Sequence, residues 1–206
     1  MQWFFEKVNN ELVFIPELGI GHYPVPTDNR PYGEIYFDRY VRMSSSIMGE
    51  ELTKERISFV ERHYTGFLLD VGIGSGQFVE SRNDTFGYDV NPSSIKWLRE
   101  KQLWMDLYDR NVPAISFWDS LEHIDRPDIA VSKSSNWVFL SIPIFESGDA
   151  ILHSKHFRKD EHIWYFTDYG IINWFHEQGF ECREHNYNEI YIGREGIGSY
   201  AFQRRK

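Results

Sequence analysis

The chain has 206 residues, 41% apolar and 26% charged, which supports one sizeable α/β domain and excludes a disordered chain. A net charge of −9 excludes a general grip on DNA or RNA phosphates, and the longest near-apolar run, WVFLSIPIF at 137–145, is too short to span a bilayer. Cys182 is the only cysteine and MQWFFEKVNNE carries no basic-then-apolar leader pattern, so neither an internal disulfide nor export is expected, and the cytoplasm is the expected setting.

Residues 1–50 read as an N-terminal extension before a domain at 51–206. Within it Tyr32, Tyr36 and Tyr40 are spaced i, i+4, i+8 and would share one helix face. That face either packs the extension onto the domain or closes over a ligand as a lid. Ile57, Val60 and Tyr64 then recur at helical spacing until Gly66 stops the run. A first strand is predicted at 67–71, a short helix at 76–81, a second strand at 85–89 and a helix at 93–101 opened by Asn91-Pro92. A weak third strand falls at 103–105, a fourth at 114–118 and a fifth at 137–143. Thr167 is placed to cap a helix carrying Ile171, Ile172 and Phe175, ended by Gly179. The segments 180–185 and 199–203 read as two closing strands. This alternation predicts an α/β fold with a mostly parallel seven-stranded sheet and helices on both faces. The ligand is expected beyond the carboxyl ends of the strands, beside the first.

The turn after that first strand, LLDVGIGSGQFV at 68–79, is rich in glycine. A dinucleotide fingerprint needs a third glycine where Gln77 stands, and Gly76 comes one residue early. The spacing is instead D-x-G-x-G-x-G, with Asp70 before Gly72, Gly74 and Gly76. Asp70 is suited to an ammonium group, which disfavours a nicotinamide dinucleotide. Asp89, nineteen residues after Asp70, ends the second strand, where a carboxylate can accept from both ribose hydroxyls. Together they point to an adenosine cofactor.

From Asp70 to Gly76, and again at Gly87-Tyr88-Asp89, the chain resembles the first two motifs of class I S-adenosylmethionine-dependent methyltransferases. Phe117-Trp118-Asp119-Ser120-Leu121-Glu122-His123 resembles the F-W-D-x-L-E-H segment of the branch that includes ubiquinone-type O-methyltransferases. Leu140-Ser141-Ile142-Pro143, then His162 with Phe166-Thr167 and Gly179-Phe180, are similar to later motifs of that branch. Two departures stand out: a short first helix, and Lys133-Ser134-Ser135-Asn136 where K-P-G-G is usual. The resemblance, over about 50–206, implies a Rossmann-like sheet whose seventh strand is antiparallel, and S-adenosylmethionine as cofactor. It implies that Asp70, Gly72, Gly74 and Gly76 hold the methionine end, Asp89 the ribose, and that Val90 flanks the adenine. Asp106 would contact the adenine amino group, while Phe117 and Trp118 would wall the sulfonium.

Methyl transfer from a sulfonium needs alignment of the nucleophile, exclusion of water and a group to take the nucleophile's proton. Asp119 and His123 fall at the end of the fourth strand, and His162 in the polar loop after the fifth; these three are the candidate catalytic residues. His123 is read as base or substrate orienter, or as a histidine that fixes its loop. His153, His156 and His162 were weighed as a metal set, but without a cysteine partner or an H-E-x-x-H motif no metal is expected. The expected function is methyl transfer to an oxygen or nitrogen of a small-molecule or carbohydrate-like acceptor; the alternative is a cofactor-binding relative that has lost catalysis. DNA methylation is disfavoured because Trp118-Asp119-Ser120-Leu121 stands where a D/N-P-P-Y/F/W tetrapeptide belongs. Neither a nucleic-acid nor a membrane partner is expected, and the sequence is silent on oligomeric state.

Overall fold

A computed structural model describes residues 6–7, 11–24 and 32–206; the remainder of the predicted extension, at 1–5, 8–10 and 25–31, lies outside the described residues. The chain enters through β1 (Glu6–Lys7), β2 (Val13–Ile15) and β3 (Ile20–His22), which pair antiparallel. Next come α1 (Glu34–Ser44) and α2 (Ile47–Glu61). Ser46 caps α2 through the Gly49 N–H, so this helix begins earlier than the apolar spacing alone predicted. An alternating run follows: β4 (Leu68–Val71), α3 (Gln77–Ser81), β5 (Thr85–Tyr88), α4 (Pro92–Glu100) and β6 (Val112–Trp118). The remainder is α5 (Pro127–Ser132), β7 (Ser134–Pro143), α6 (Gly148–His153), β8 (Trp164–Phe166), α7 (Asp168–Glu177), β9 (Phe180–Asn186) and β10 (Ile197–Arg204).

The main sheet runs β5-β4-β6-β7-β10-β9. β5, β4, β6 and β7 pair parallel, and β10 inserts antiparallel between β7 and β9. The weak third strand survives as a single parallel bridge from Gly87 to Trp104, which keeps the seventh position at the β5 edge. Its sequence, Leu-Trp-Met followed by an acid, is too short to sustain a ladder. β6 and β7 are buried on both faces, as parallel strands between helical layers must be. One core unites Leu69, Ile115, Phe117, Leu140, Phe175 and Phe202; the opposite face gathers Phe59, Val60, Phe78, Trp118 and Phe139 under α2.

The N-terminal strands were not foreseen. β3 pairs with β8, so the opening segment builds a small second sheet onto the loop that follows β7. Leu12, Phe14, Ile151 and Tyr165 close a core of their own beneath it. Three-residue strands carry too little alternation to stand out from turns. Their consequence is functional: they hold residues 162–166 against the carboxyl edge of the main sheet.

Candidate active site

The glycine turn leaves β4 with φ of +80° at Gly72, +56° at Gly74 and +82° at Gly76, a region that suits glycine. A Cβ on Gly72 would meet the Ser120 Cβ at 2.6 Å, and one on Gly76 would meet the Trp97 ring at 2.4 Å. Asp70 is fully buried and accepts a hydrogen bond from Ser116 Oγ at 2.6 Å. Burial pushes its carboxyl up to about 7, against the opposing pull of Ser116 and Arg56. Asp89 accepts the Ile73 N–H at 3.0 Å and the Asn91 N–H at 2.8 Å, which ties the glycine turn to the end of β5. Burial raises its pKa while those N–H donors resist.

α1 lies across this cradle. Tyr40 is the nearest neighbour of Gly74, with ring carbon Cδ1 3.3 Å from where a Cβ would sit. The hydroxyls of Tyr36 and Tyr40 are 3.2 Å apart, and Tyr32 packs edge-on against Tyr36. Asn91 Nδ2 donates to the Gly33 carbonyl, fastening the start of α1 beside Asp89. Val90 is exposed at the same rim. Asp106 caps its own turn by accepting the Tyr108 N–H at 2.8 Å.

Phe117 and Trp118, the wall expected near the sulfonium, lie in opposite layers of the structure. Phe117 is wholly buried in the main core, and Trp118 packs on the opposite face against Phe78 with the Arg56 guanidinium 5.1 Å above its ring. Consecutive residues of a strand buried on both faces point into opposite layers, so neither ring is left open.

The chain after β6 makes a 3-10 turn at Leu121–His123. The Ile163 N–H donates to the Glu122 carbonyl at 2.9 Å, and Trp164 Nε1 donates to the Ile124 carbonyl at 3.0 Å. These bonds bring His162 beside the turn, with its ring centre 4.6 Å from that of His123. His123 Nδ1 donates to the Glu161 carbonyl at 2.9 Å. His162 Nε2 is 3.9 Å from Glu122 Oε1. Glu122 is 1% exposed, and neither carboxylate oxygen has a hydrogen-bond partner. Burial, then Asp119 nearby, pushes Glu122 up to about 8; burial, then His123 and Arg158, holds His162 far below its ordinary value.

Glu122, His123 and His162 offer three ligating atoms within 4.8 Å of one another, a donor set of the kind that holds a divalent cation. The set differs from the one weighed in the sequence. His153 bonds the Asp149 carbonyl in its own helix and His156 the Glu195 carbonyl, so neither joins His162 in that group.

Asp119 is held elsewhere. Arg194 grips both its oxygens, at 2.7 and 2.8 Å, and Arg56 Nη2 donates to it at 2.8 Å. Glu189, 1% exposed, takes Arg56 Nε at 3.0 Å and Arg194 Nη1 at 2.8 Å. The two arginines hold Asp119 well below the usual carboxylate range despite its burial. Sequence reasoning missed Arg56, Glu189 and Arg194. Arg56 did leave a signal: it lies one helical turn before buried Val60, a charge on the apolar stripe of α2. Glu189 and Arg194 sit in an unpatterned loop and left none.

Residues 46–185 match a family model described as a methyltransferase domain. Among curated proteins none matches the chain in sequence. Solved structures do match in fold. One is magnesium protoporphyrin IX methyltransferase from Synechocystis PCC 6803 with bound SAH: 12% identity, 82% of this chain and 94% of that one, TM-score 0.59. Another is a possible histamine N-methyltransferase from Thermotoga maritima: 14% identity, 83% and 99% coverage, TM-score 0.59. A third is the [4+2]-cyclase SpnF, at 15% identity, 80% coverage of each chain and a TM-score of 0.51.

Proposed function

The chain belongs to the methyltransferase-domain family, and from that premise we propose that it transfers a methyl group from S-adenosylmethionine to an oxygen or nitrogen of a small-molecule or carbohydrate-like acceptor. The observation that carries this reading is juxtaposition: the turn at 119–123 touches Gly72 through Ser120 and bears Glu122 and His123 a few residues on. The turn that packs against the cradle therefore also carries the proton-handling groups.

When bound, the cofactor would supply a methyl carbon activated by a sulfonium, whose C–S electron pair would leave on a neutral thioether as the acceptor's lone pair forms the new bond. Asp70 and the backbone at Gly72, Gly74 and Gly76 would hold the methionine end, and Asp89 would take the ribose hydroxyls. Val90 would flank the adenine, and Asp106 would contact its amino group. The Tyr36–Tyr40 face of α1 excludes water from above. His123 takes the acceptor's proton: donation from Nδ1 to the Glu161 carbonyl puts the ring's lone pair on Nε2. Asp119, gripped by two arginines, has no role as a base.

A second element rests on the unpartnered Glu122 carboxylate. With His123 and His162 it would bind a divalent cation that orients an acceptor oxygen and lowers its pKa. In that mode His123 is a ligand and the cation replaces it as the activating group.

The test is transfer of a labelled methyl group to a panel of catechols, phenols, amines and sugars, with EDTA and with added Mg²⁺ or Mn²⁺. Turnover of one acceptor class is expected, and its loss in EDTA with recovery on adding metal supports the cation mode. Turnover untouched by EDTA leaves His123 as the base. Cofactor binding with no turnover across the panel favours the catalytically silent alternative, since fold and activity can part company.

A further inference from the structure

Asp119 has φ +53°, a left-handed conformation that non-glycine residues seldom adopt, although aspartate tolerates it better than most. It occupies the one residue between Trp118, the end of β6, and Ser120, which packs on Gly72. The path of the chain through 119 therefore fixes where Ser120, Glu122 and His123 lie.

Four distant segments converge to hold that conformation. Arg56 comes from α2, Ser141 from β7, Glu189 from the 3-10 turn Asn188–Ile192, and Arg194 from the loop leading to β10. The Asp119 N–H donates to the Ser141 carbonyl at 2.9 Å, Arg56 Nη2 also donates to Ser141 Oγ at 2.9 Å, and the Arg194 fork closes on both Asp119 oxygens. Two arginines and two carboxylates make the group electroneutral. Arg194 also donates its own N–H to the Glu189 carbonyl at 2.9 Å, so the fork's direction is set by its backbone.

We propose that Arg194 and Arg56 are positioning residues for methyl transfer: by clamping Asp119 they hold the left-handed bend that presents His123 and Glu122 to the acceptor beside the glycine turn. This rests on the reading of His123 as an acceptor-side group. It assigns Asp119 a conformational task in place of a catalytic one. A bidentate fork matters because a lysine supplies one point charge and cannot fix both oxygens.

The discriminating comparison is glycine against alanine at 119. Both delete the carboxylate and leave the same net charge, but only glycine takes a positive φ without strain. Full-length protein with ¹³C-labelled histidine rings, saturated with S-adenosylhomocysteine, reports the position of His123 by NMR. Arg194→Met is expected to shift the His123 ring resonance while changing affinity for S-adenosylhomocysteine by less than about threefold, a loss well under the 1.4 kcal/mol of a tenfold change. Adding Asp119→Gly returns the resonance toward wild type, whereas adding Asp119→Ala does not. Should Arg194→Met fail to fold, Arg194→Lys carries the same comparison. A His123 resonance unmoved by the arginine change, or glycine and alanine behaving alike, overturns the proposal. Failure of the methyltransferase reading shows separately, as no binding of S-adenosylhomocysteine by wild type.

Discussion

Asp70 is the residue whose chemistry is most sensitive to whether the cradle is filled. A carboxylic acid with an ordinary value of 3.8 stands at about 7 in the folded chain because burial disfavours its charge. A raised folded value means the native state binds more protons than the unfolded chain between those two values. Stability from this group is present below pH 3.8 and is lost as pH rises through 7. Asp70→Asn should therefore flatten the fall of unfolding free energy across that window, by up to roughly 1.4 kcal/mol per pH unit, as read by denaturant melts at a series of pH values. A wild-type curve as flat as the mutant's would contradict the burial argument. A cationic cofactor beside Asp70 should reverse the wild-type trend by favouring the carboxylate.

Much of this was legible one residue at a time. The D-x-G-x-G-x-G spacing and the acid at 89 foretold a tight glycine turn with a strand-ending acid tied to it, because these are local demands written in adjacent residues. Asp119 was legible as a polar residue at a strand end, but the ion-paired cluster that holds it was not. Its partners at 56, 189 and 194 are fixed by tertiary folding, and no spacing connects them. The surroundings of Phe117 were hidden for a related reason: which face of β6 a ring takes depends on the layers packed against it.

Among elements, α1 is the one poised over the site with the least holding it. None of its residues is buried, and Ile35 and Met43 on it are exposed. Its grip on the domain runs through Tyr40 over Gly74 and the Gly33–Asn91 hydrogen bond. Tyr40→Ala should accordingly leave the melting temperature nearly unchanged while speeding release of S-adenosylhomocysteine in stopped-flow measurements. A drop of several degrees with unaltered release would instead make α1 a structural brace. The tyrosine spacing foretold a shared face for Tyr36 and Tyr40 on α1, with Tyr32 packed on Tyr36 ahead of the helix, but left open whether that face meets the domain or a ligand, since only the fold places Tyr40 over Gly74. The strands β2, β3 and β8 show the limit of pattern reading more sharply, as three residues each are too few for a period to be counted.

At the scale of the molecule, the parallel order places the cradle after β4 and the 119–123 turn after β6, adjacent strands whose carboxyl ends open to the same side. The small antiparallel sheet braces the loop that carries His162, together with the hydrogen bonds from Ile163 and Trp164 to the 121–124 segment. Among the described residues no helix is long and apolar enough to cross a membrane. Calorimetry tests the cradle most directly. Wild type should bind S-adenosylmethionine and S-adenosylhomocysteine saturably, and Asp89→Ala should weaken both about tenfold or more, as expected for losing the hydrogen bonds that the ribose hydroxyls donate to a charged carboxylate. Equal affinity in the variant, or no binding by wild type, would contradict it.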